Sequence, residues 1–136
     1  MSDFFTWNDT YNTGIATIDT QHKKLVDILN RLYAAMEKGQ ARDVLGKLLD
    51  ELVQYTVVHF STEEGFFARY GYLETISHKK EHENFKAKAL ALQKDFASGK
   101  TTISAQVGAF LKDWLSHHIL QIDKKYAPFL VSKGVK

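Results

Sequence analysis

The chain has 136 residues, of which 44% are hydrophobic, and only one proline, so we expect a single compact domain over residues 1–136. Its 18 basic and 16 acidic residues are spread along the whole length, so no basic patch indicates a nucleic-acid partner. The absence of cysteine excludes disulfides, thiolate metal sites and thiol catalysis.

The sequence also lacks the pattern of a membrane-spanning segment. No apolar run approaches the ~20 residues that a membrane helix needs. The start of the chain carries Asp3 and lacks the basic residues that are typical of a signal peptide. We therefore expect no membrane-spanning segment and a cytoplasmic protein.

Regularly spaced glycines divide the chain into four segments of helical length. We expect residues 1–18 to form an irregular arm, with Trp7 and Ile15 packed on the helices. Helices are predicted over 19–38, with Asp19 as N-cap and Gly39 as stop, and over 41–69, 75–97 and 101–131. Because the links are short, neighbouring helices are antiparallel, which predicts an all-α four-helix bundle over residues 19–131.

Histidine is the unusual feature of the apolar faces of these helices. Steps of three and four residues place six polar residues on those faces: His22, His59, Glu63, His78, His82 and His118. Burying such groups without partners costs roughly 1–3 kcal/mol each, and the sum rivals the ~5–15 kcal/mol stability of a domain. Antiparallel packing brings all six to one end of the bundle, so the pattern predicts a shared metal site with nitrogen and oxygen ligands.

Asp123 does not fit this simple spacing. It follows His118 by five residues, which turns it about 140° around an ideal helix. A locally widened turn of the π type would bring it inward, and such turns are frequent at functional sites. From spacing alone, a ligand and a solvated surface carboxylate both stay open.

A longer ordered set of motifs resembles the hemerythrins, specifically the single-domain bacterial type. The resemblance covers about residues 7–130. Its motifs are Trp7-Asn8, Tyr11, Gly14-Ile15, Ile18-Asp19, Gln21-His22 with Leu25, His59-Phe60 with Glu63, His78 and His82 with Phe85, and Trp114-Leu115 before His118-Ile119 and Asp123.

The resemblance implies an up-and-down four-helix bundle that holds two iron ions joined by an oxo or hydroxo group. It implies that one iron is held by His78, His82 and His118, the other by His22 and His59, and both by the bridging carboxylates Glu63 and Asp123. Counting these ligands leaves one position open, where dioxygen would bind. His117 matches no ligand position and is expected at the surface.

The position of Leu115, three residues before His118, suggests how dioxygen would be sheltered. With Phe60, Trp114 and either Phe66 or Phe67, it is expected to close an apolar pocket that admits dioxygen and keeps out water and anions. Ordinary core packing is the alternative interpretation for Leu115.

The expected function is reversible dioxygen binding, for storage or delivery, by a monomer that serves an oxygen-consuming partner protein. We expect an oxygen-binding protein rather than an enzyme, although side oxidase or peroxidase activity stays open. An oxygen sensor and an enzyme that removes peroxide or nitric oxide are the alternatives within the family.

Three other classes fit less well. Ferritin-like di-iron oxidases use Glu-x-x-His pairs, which this chain lacks. A histidine phosphotransfer module needs an exposed histidine. Structural zinc takes four ligands, fewer than the seven available here.

Overall fold

The computed structural model describes residues 5–99 and 103–136, apart from the side chain of Leu120. Three helices, α1 (Ala16–Glu37), α2 (Ala41–Tyr70) and α3 (Thr75–Ala97), are followed by a fourth helical region. In that region α4 (Ile103–Trp114) continues through a π-helical segment (Leu115–Ile122) into α5 (Asp123–Ser132). No strand occurs in the part of the chain described, so the predicted all-α fold is confirmed. The predicted start of the fourth helix at Thr101 lies outside the described residues.

The helices form an up-and-down antiparallel four-helix bundle. Helix α1 packs against α2 and α4, and α3 packs against the same two helices. Gly39 and Gly71 follow the ends of α1 and α2 with φ angles of 69° and 72°, which favour glycine and stop each helix. Nowhere in the described ranges is a helix long and apolar enough to span a bilayer.

The N-terminal arm is shorter than predicted. Helix α1 begins at Ala16, so the prediction of Asp19 as its N-cap was wrong. Asp19 instead lies in the first turn, where its carboxylate accepts hydrogen bonds from the Thr13 backbone N–H (2.7 Å) and hydroxyl (2.8 Å). These bonds fold the arm back onto the helix, and Ile15 becomes fully buried as predicted. Trp7 is half-buried against the bundle core.

Two apolar clusters occupy the interior on either side of a polar layer. The large cluster includes Leu25, Leu29, Leu32, Leu45, Leu49, Leu92, Ile103, Val107 and Leu111. The small cluster consists of Ile15, Ile18, Phe67, Tyr126, Leu130 and Val135. His22 lies between Ile18 and Leu25 along α1, and Glu63 lies between Phe60 and Phe67 along α2. The small cluster therefore closes the end of the bundle beyond the polar layer.

Candidate metal centre

The structure brings the seven predicted metal-site residues together in the polar layer. All seven are buried, with relative exposures of 0–3%: His22, His59, Glu63, His78, His82, His118 and Asp123. Helix α1 contributes one of them, α2 and α3 two each, and the fourth helical region the last two. His117 is exposed, as the sequence predicted.

Asp123 lies at the centre of the layer, with its two carboxylate oxygens facing opposite groups of histidines. Oδ1 is 2.9 Å from His118 Nε2 and 3.0 Å from His78 Nε2. Oδ2 is 3.0 Å from His22 Nε2 and 3.6 Å from His59 Nε2. One carboxylate therefore reaches both halves of the histidine set.

Glu63 is the second shared carboxylate. Its Oε1 atom is 3.0 Å from His82 Nε2, 3.3 Å from His59 Nε2 and 3.6 Å from His78 Nε2. His59 lies one turn before Glu63 on α2, whereas the other two histidines come from α3. The i, i+4 spacing on α2 therefore places an imidazole and a carboxylate side by side, as predicted.

The inward orientation of Asp123 depends on the π-helical segment. The backbone N–H of Asp123 donates to the carbonyl of His118, five residues earlier, which is the hydrogen bond that defines a π turn. An ideal α-helix would rotate Asp123 away from the face that carries His118. The widened turn lets both side chains point into the interior, so the surface-carboxylate interpretation of Asp123 was wrong.

Hydrogen bonds at the outer ring nitrogens determine which nitrogen faces inward in three of the five imidazoles. His82 Nδ1 donates to Glu64 Oε2 (2.8 Å), and His118 Nδ1 donates to Glu81 Oε1 (3.3 Å), because an ionised carboxylate only accepts. His59 Nδ1 lies 2.7 Å from Gln21 Oε1 and is likewise the donor. A neutral ring with a proton on Nδ1 has its Nε2 lone pair free, and in all three rings that atom faces the centre.

The inner atoms lack the partners that buried polar groups need. Six atoms that face the centre are buried without a hydrogen bond in suitable geometry: His59 Nε2, His78 Nε2, His82 Nε2, His118 Nε2, Asp123 Oδ1 and Glu63 Oε1. Each such group left unpaired costs about 1–3 kcal/mol. Imidazole nitrogens and carboxylate oxygens are donor atoms that iron and similar transition metals accept, so this set fits a metal centre.

The electrostatics of the layer keep its two carboxylates ionised. Burial and the Asp123 charge favour protonation of Glu63, but the facing imidazoles outweigh both and lower its pKa to about 2. Burial opposes ionisation of Asp123 too, but His118 and the other rings hold its pKa well below the usual range. Burial favours neutral His78, yet the facing carboxylates raise its pKa to about 10. Both carboxylates are therefore ionised at neutral pH.

The donor atoms form two overlapping groups, each with atoms within 4.8 Å of one another. The first consists of Glu63, His78, His82 and His118, and the second of His22, His59, Glu63 and Asp123. We call the three histidines of the first group the three-histidine side and the two of the second the two-histidine side. Each group has enough ligands for one transition-metal ion, and the two share Glu63.

Aromatic rings pack closely around the layer. Phe60 stacks on His82 with 3.8 Å between ring centroids, and Trp114 stacks on His118 at the same separation. Phe67 is buried and meets His78 edge-on, whereas Phe66 is only partly buried. Leu115 is completely buried in the large cluster. Phe60, Trp114 and Leu115 thus belong to the large cluster, whereas Phe66 and Phe67 belong to the small cluster on the other side of the layer.

Sequence reasoning missed the residues that support the imidazoles from outside: Gln21, Glu64, Glu81 and Tyr55. Tyr55 stacks on His59 at 5.1 Å, one turn earlier on α2. Gln21, Glu64 and Glu81 each adjoin a predicted ligand in sequence but contact an imidazole from another helix. For Gln21, Glu64 and Glu81, adjacency to a ligand is the only signal that could have found them, and it does not say which ring they reach.

A four-helix bundle with an interior layer of five imidazoles and two carboxylates defines a metal-binding helical protein. The chain matches the family described as "Hemerythrin HHE cation binding domain" over residues 13–130. This match covers most of the chain and all seven site residues. The chain therefore belongs to the hemerythrin family, as the sequence motifs indicated.

Individual relatives agree with this assignment. The chain is 36% identical to the bacteriohemerythrin of Methylococcus capsulatus over 92% of this chain and 95% of that protein. It is 34% identical to a hemerythrin-like protein of Naegleria gruberi, with 90% of each covered. Among solved structures, a wild-type hemerythrin superposes with a TM-score of 0.83 at 35% identity, covering 93% of this chain and 98% of the other.

Proposed function

We propose that the protein binds dioxygen reversibly at two iron ions held in the polar layer and acts in oxygen storage or delivery. The proposed ligands are His78, His82 and His118 for one iron, His22 and His59 for the other, and Glu63 and Asp123, with an oxo or hydroxo group, for both. When bound, the iron pair supplies the electrons and the open coordination position that dioxygen binding requires.

The orientation of Asp123 is the observation that carries the proposal. Its Oδ1 faces the three-histidine side and its Oδ2 faces the two-histidine side, at 2.9–3.0 Å from the nearest ring nitrogen of each. A carboxylate that bound a single metal ion would need ligand imidazoles on one of its sides only. Asp123 has them on both sides. This carboxylate could therefore hold two metal ions, and membership of the hemerythrin family supports iron as the metal.

The surroundings of the layer favour reversible binding over oxidation of a substrate. Leu115, Phe60 and Phe67 are buried and apolar, and Phe60 and Phe67 pack directly against ligand imidazoles. An apolar surrounding would keep water and anions from competing with dioxygen for the site. These residues therefore protect the site, and none of them supplies a proton.

Anaerobic reconstitution tests the metal assignment. Apoprotein is loaded with ferrous iron under nitrogen, desalted, and assayed for iron and protein, with a parallel sample loaded with zinc. We expect two irons per chain, an absorption change on exposure to air, and reversal when the sample is flushed with nitrogen. The zinc-loaded control should show no response to air.

Two results contradict the proposal. A stable ratio of one iron per chain would rule out the iron pair. If the protein retains two irons but consumes oxygen stoichiometrically and returns none, the carrier function is wrong and a di-iron oxidase or a peroxide- or nitric-oxide-removing enzyme replaces it. Three further points stay predictions: the cytoplasmic location, the monomeric state and an oxygen-consuming partner protein. Size-exclusion chromatography of the iron-loaded protein checks the monomeric state.

A further inference from the structure

The outer nitrogens of the imidazoles meet different kinds of partner on the two sides of the layer. On the three-histidine side, His82 Nδ1 donates to the Glu64 carboxylate at 2.8 Å. His118 Nδ1, on the same side, donates to the Glu81 carboxylate at 3.3 Å. Two of the three rings on this side are therefore hydrogen-bonded to negatively charged groups.

The two-histidine side has no such charge at its outer nitrogens. His59 Nδ1 donates to the neutral amide oxygen of Gln21 at 2.7 Å. His22 Nδ1 is buried without a hydrogen-bond partner. The contrast between the two sides is thus one of charge as well as of hydrogen-bond number.

A chain of hydrogen bonds determines the orientation of the Gln21 amide. Its Nε2 donates to Thr62 Oγ1 at 3.0 Å, and the Thr62 hydroxyl donates in turn to the Val58 carbonyl at 2.7 Å. Because the Thr62 hydroxyl proton is used on Val58, its oxygen is free to accept from Gln21. The amide oxygen therefore faces His59, and the partner of this ring is a neutral acceptor.

A carboxylate that accepts the Nδ1 proton of an imidazole draws that proton away and increases electron density on the ring. The ring then becomes a stronger donor through Nε2, which faces the metal. An amide oxygen has the same effect to a smaller degree, since it carries no net charge. Stronger ligand donation stabilises the higher oxidation state of the metal ion that receives it.

We propose that Glu64 and Glu81 are positioning residues that make the three-histidine side the stronger electron donor, while Gln21 keeps the two-histidine side the weaker one. This inference rests on the two-iron assignment of the proposed function. The iron pair is then electronically unequal, with the iron on the three-histidine side easier to oxidise. The charged Glu64 and Glu81 and the neutral Gln21, and not the inner ligands alone, set the reduction potential of the pair.

Exchanging carboxylate and amide in both directions tests the inference. The variants are Glu64→Gln, Glu81→Gln and Gln21→Glu, each close in size to the original residue. Glu64 and Glu81 are 26% and 35% exposed, so the exchange leaves no buried unpaired charge on the three-histidine side. Glu83→Gln is the matched control, because Glu83 adjoins the ligand His82 on α3, as Glu81 does, but is 70% exposed and pairs with Lys86.

The readouts are the reduction potential of the di-iron couple and the Mössbauer spectrum of the fully reduced protein. We expect Glu64→Gln and Glu81→Gln to raise the potential and change the signal of one iron, and Gln21→Glu to lower the potential and change the signal of the other. Iron affinity in Glu64→Gln should fall by roughly 10- to 100-fold, as is common when such outer partners are replaced. Glu83→Gln should match the wild type in both measurements.

The experiment separates failure of this inference from failure of the proposed function. If the wild type does not take up two irons, the proposed function fails and the inference fails with it. If two irons are bound but the three variants shift the potential in one direction, or no more than Glu83→Gln does, only the inference is wrong. Should Gln21→Glu fail to fold, the shifts in the two glutamine variants relative to Glu83→Gln decide the outcome.

Discussion

The large apolar cluster and the polar layer lie on the same four helices, within a few turns of each other, but they satisfy their buried atoms differently. Side chains such as Leu29 and Leu49 need only close packing, and each is almost fully buried among other apolar groups. In the polar layer, imidazoles and carboxylates face one another with several inner atoms unpaired.

This difference separates the part of the bundle that stabilises the fold from the part that depends on its ligand. The large cluster is complete without any added group. The polar layer is not, because several of its buried nitrogen and oxygen atoms lack hydrogen-bond partners. Substitutions in the polar layer should therefore affect mainly metal and oxygen binding, whereas those in the large cluster should affect mainly stability. Five predictions test this difference.

The largest effect is expected for replacement of a residue in the polar layer. His118→Ala should abolish stable uptake of the iron pair and with it oxygen binding, because it removes one ligand and leaves Asp123 Oδ1 without its nearest ring nitrogen at 2.9 Å. The same loss is expected for alanine at each of the other six proposed ligands. Iron analysis and the absorption spectrum under air measure the effect.

His117→Ala is the matched control for that prediction, since His117 is the exposed neighbour of His118. It should bind two irons and oxygen like the wild type. If His117→Ala destroyed the site while His118→Ala was tolerated, the assignment of ligands on the fourth helical region would be wrong by one residue.

A substitution in the large apolar cluster should lower stability without removing the metal. Leu49→Ala leaves a cavity in a close-packed region and should reduce the free energy of unfolding by about 2–5 kcal/mol. Two irons should still bind per chain. Urea denaturation gives the stability, and Val57→Ala, on the same helix but 59% exposed, should change it by less than about 0.5 kcal/mol. Loss of iron in Leu49→Ala would contradict the separation of the two regions.

Removal of iron should destabilise the polar layer selectively. The apoprotein should melt at a lower temperature than the iron-loaded protein, because a ligand at 100 times its dissociation constant contributes about 2.7 kcal/mol. Amide hydrogen exchange should increase near His22, His78 and Asp123 more than near Leu29. Calorimetry and exchange mass spectrometry measure both effects. An apoprotein that melts at or above the iron-loaded form would show that the inner groups already have adequate partners.

At the boundary between the two regions, Leu115→Ala should change oxygen chemistry while leaving two irons bound. Removing this buried side chain, three residues before His118, opens the apolar wall and should speed autoxidation and anion entry. Leu111→Ala, one turn earlier and equally buried, is the control. It should lose similar stability but keep the wild-type autoxidation rate. Stopped-flow mixing with oxygen followed by deoxygenation distinguishes them, and equal rates in both variants would contradict the pocket.

The smallest effect is expected in the arm, which belongs to neither region. Asp19→Ala removes the two hydrogen bonds to Thr13 and should lower stability by about 1 kcal/mol. Iron content and oxygen binding should not change. Thermal melting checks the prediction against Thr20→Ala, an exposed neighbour. A change in iron content in Asp19→Ala would mean that the arm shapes the metal centre.

Much of the fold and of the site was predictable from the sequence because helix periodicity encodes which residues share a face. The third helix was predicted at 75–97 and occurs at Thr75–Ala97. The apolar faces of the four predicted helices carry His22, His59, Glu63, His78, His82 and His118, and each of these residues is buried in the interior. Local capping was less predictable, since Asp19 lies inside the first turn, tied to Thr13 of the arm.

The sequence by itself determined the four helices, their apolar faces and the identity of the groups that line the polar layer. Only the tertiary structure decided that Asp123 points inward through the π-helical segment, with one oxygen toward each histidine group. It also decided that Glu64 and Glu81 support one side and Gln21 the other. The physical reason is that periodicity describes one helix at a time, whereas these contacts depend on how adjacent helices are rotated against each other and on which rotamer each side chain adopts across the gap.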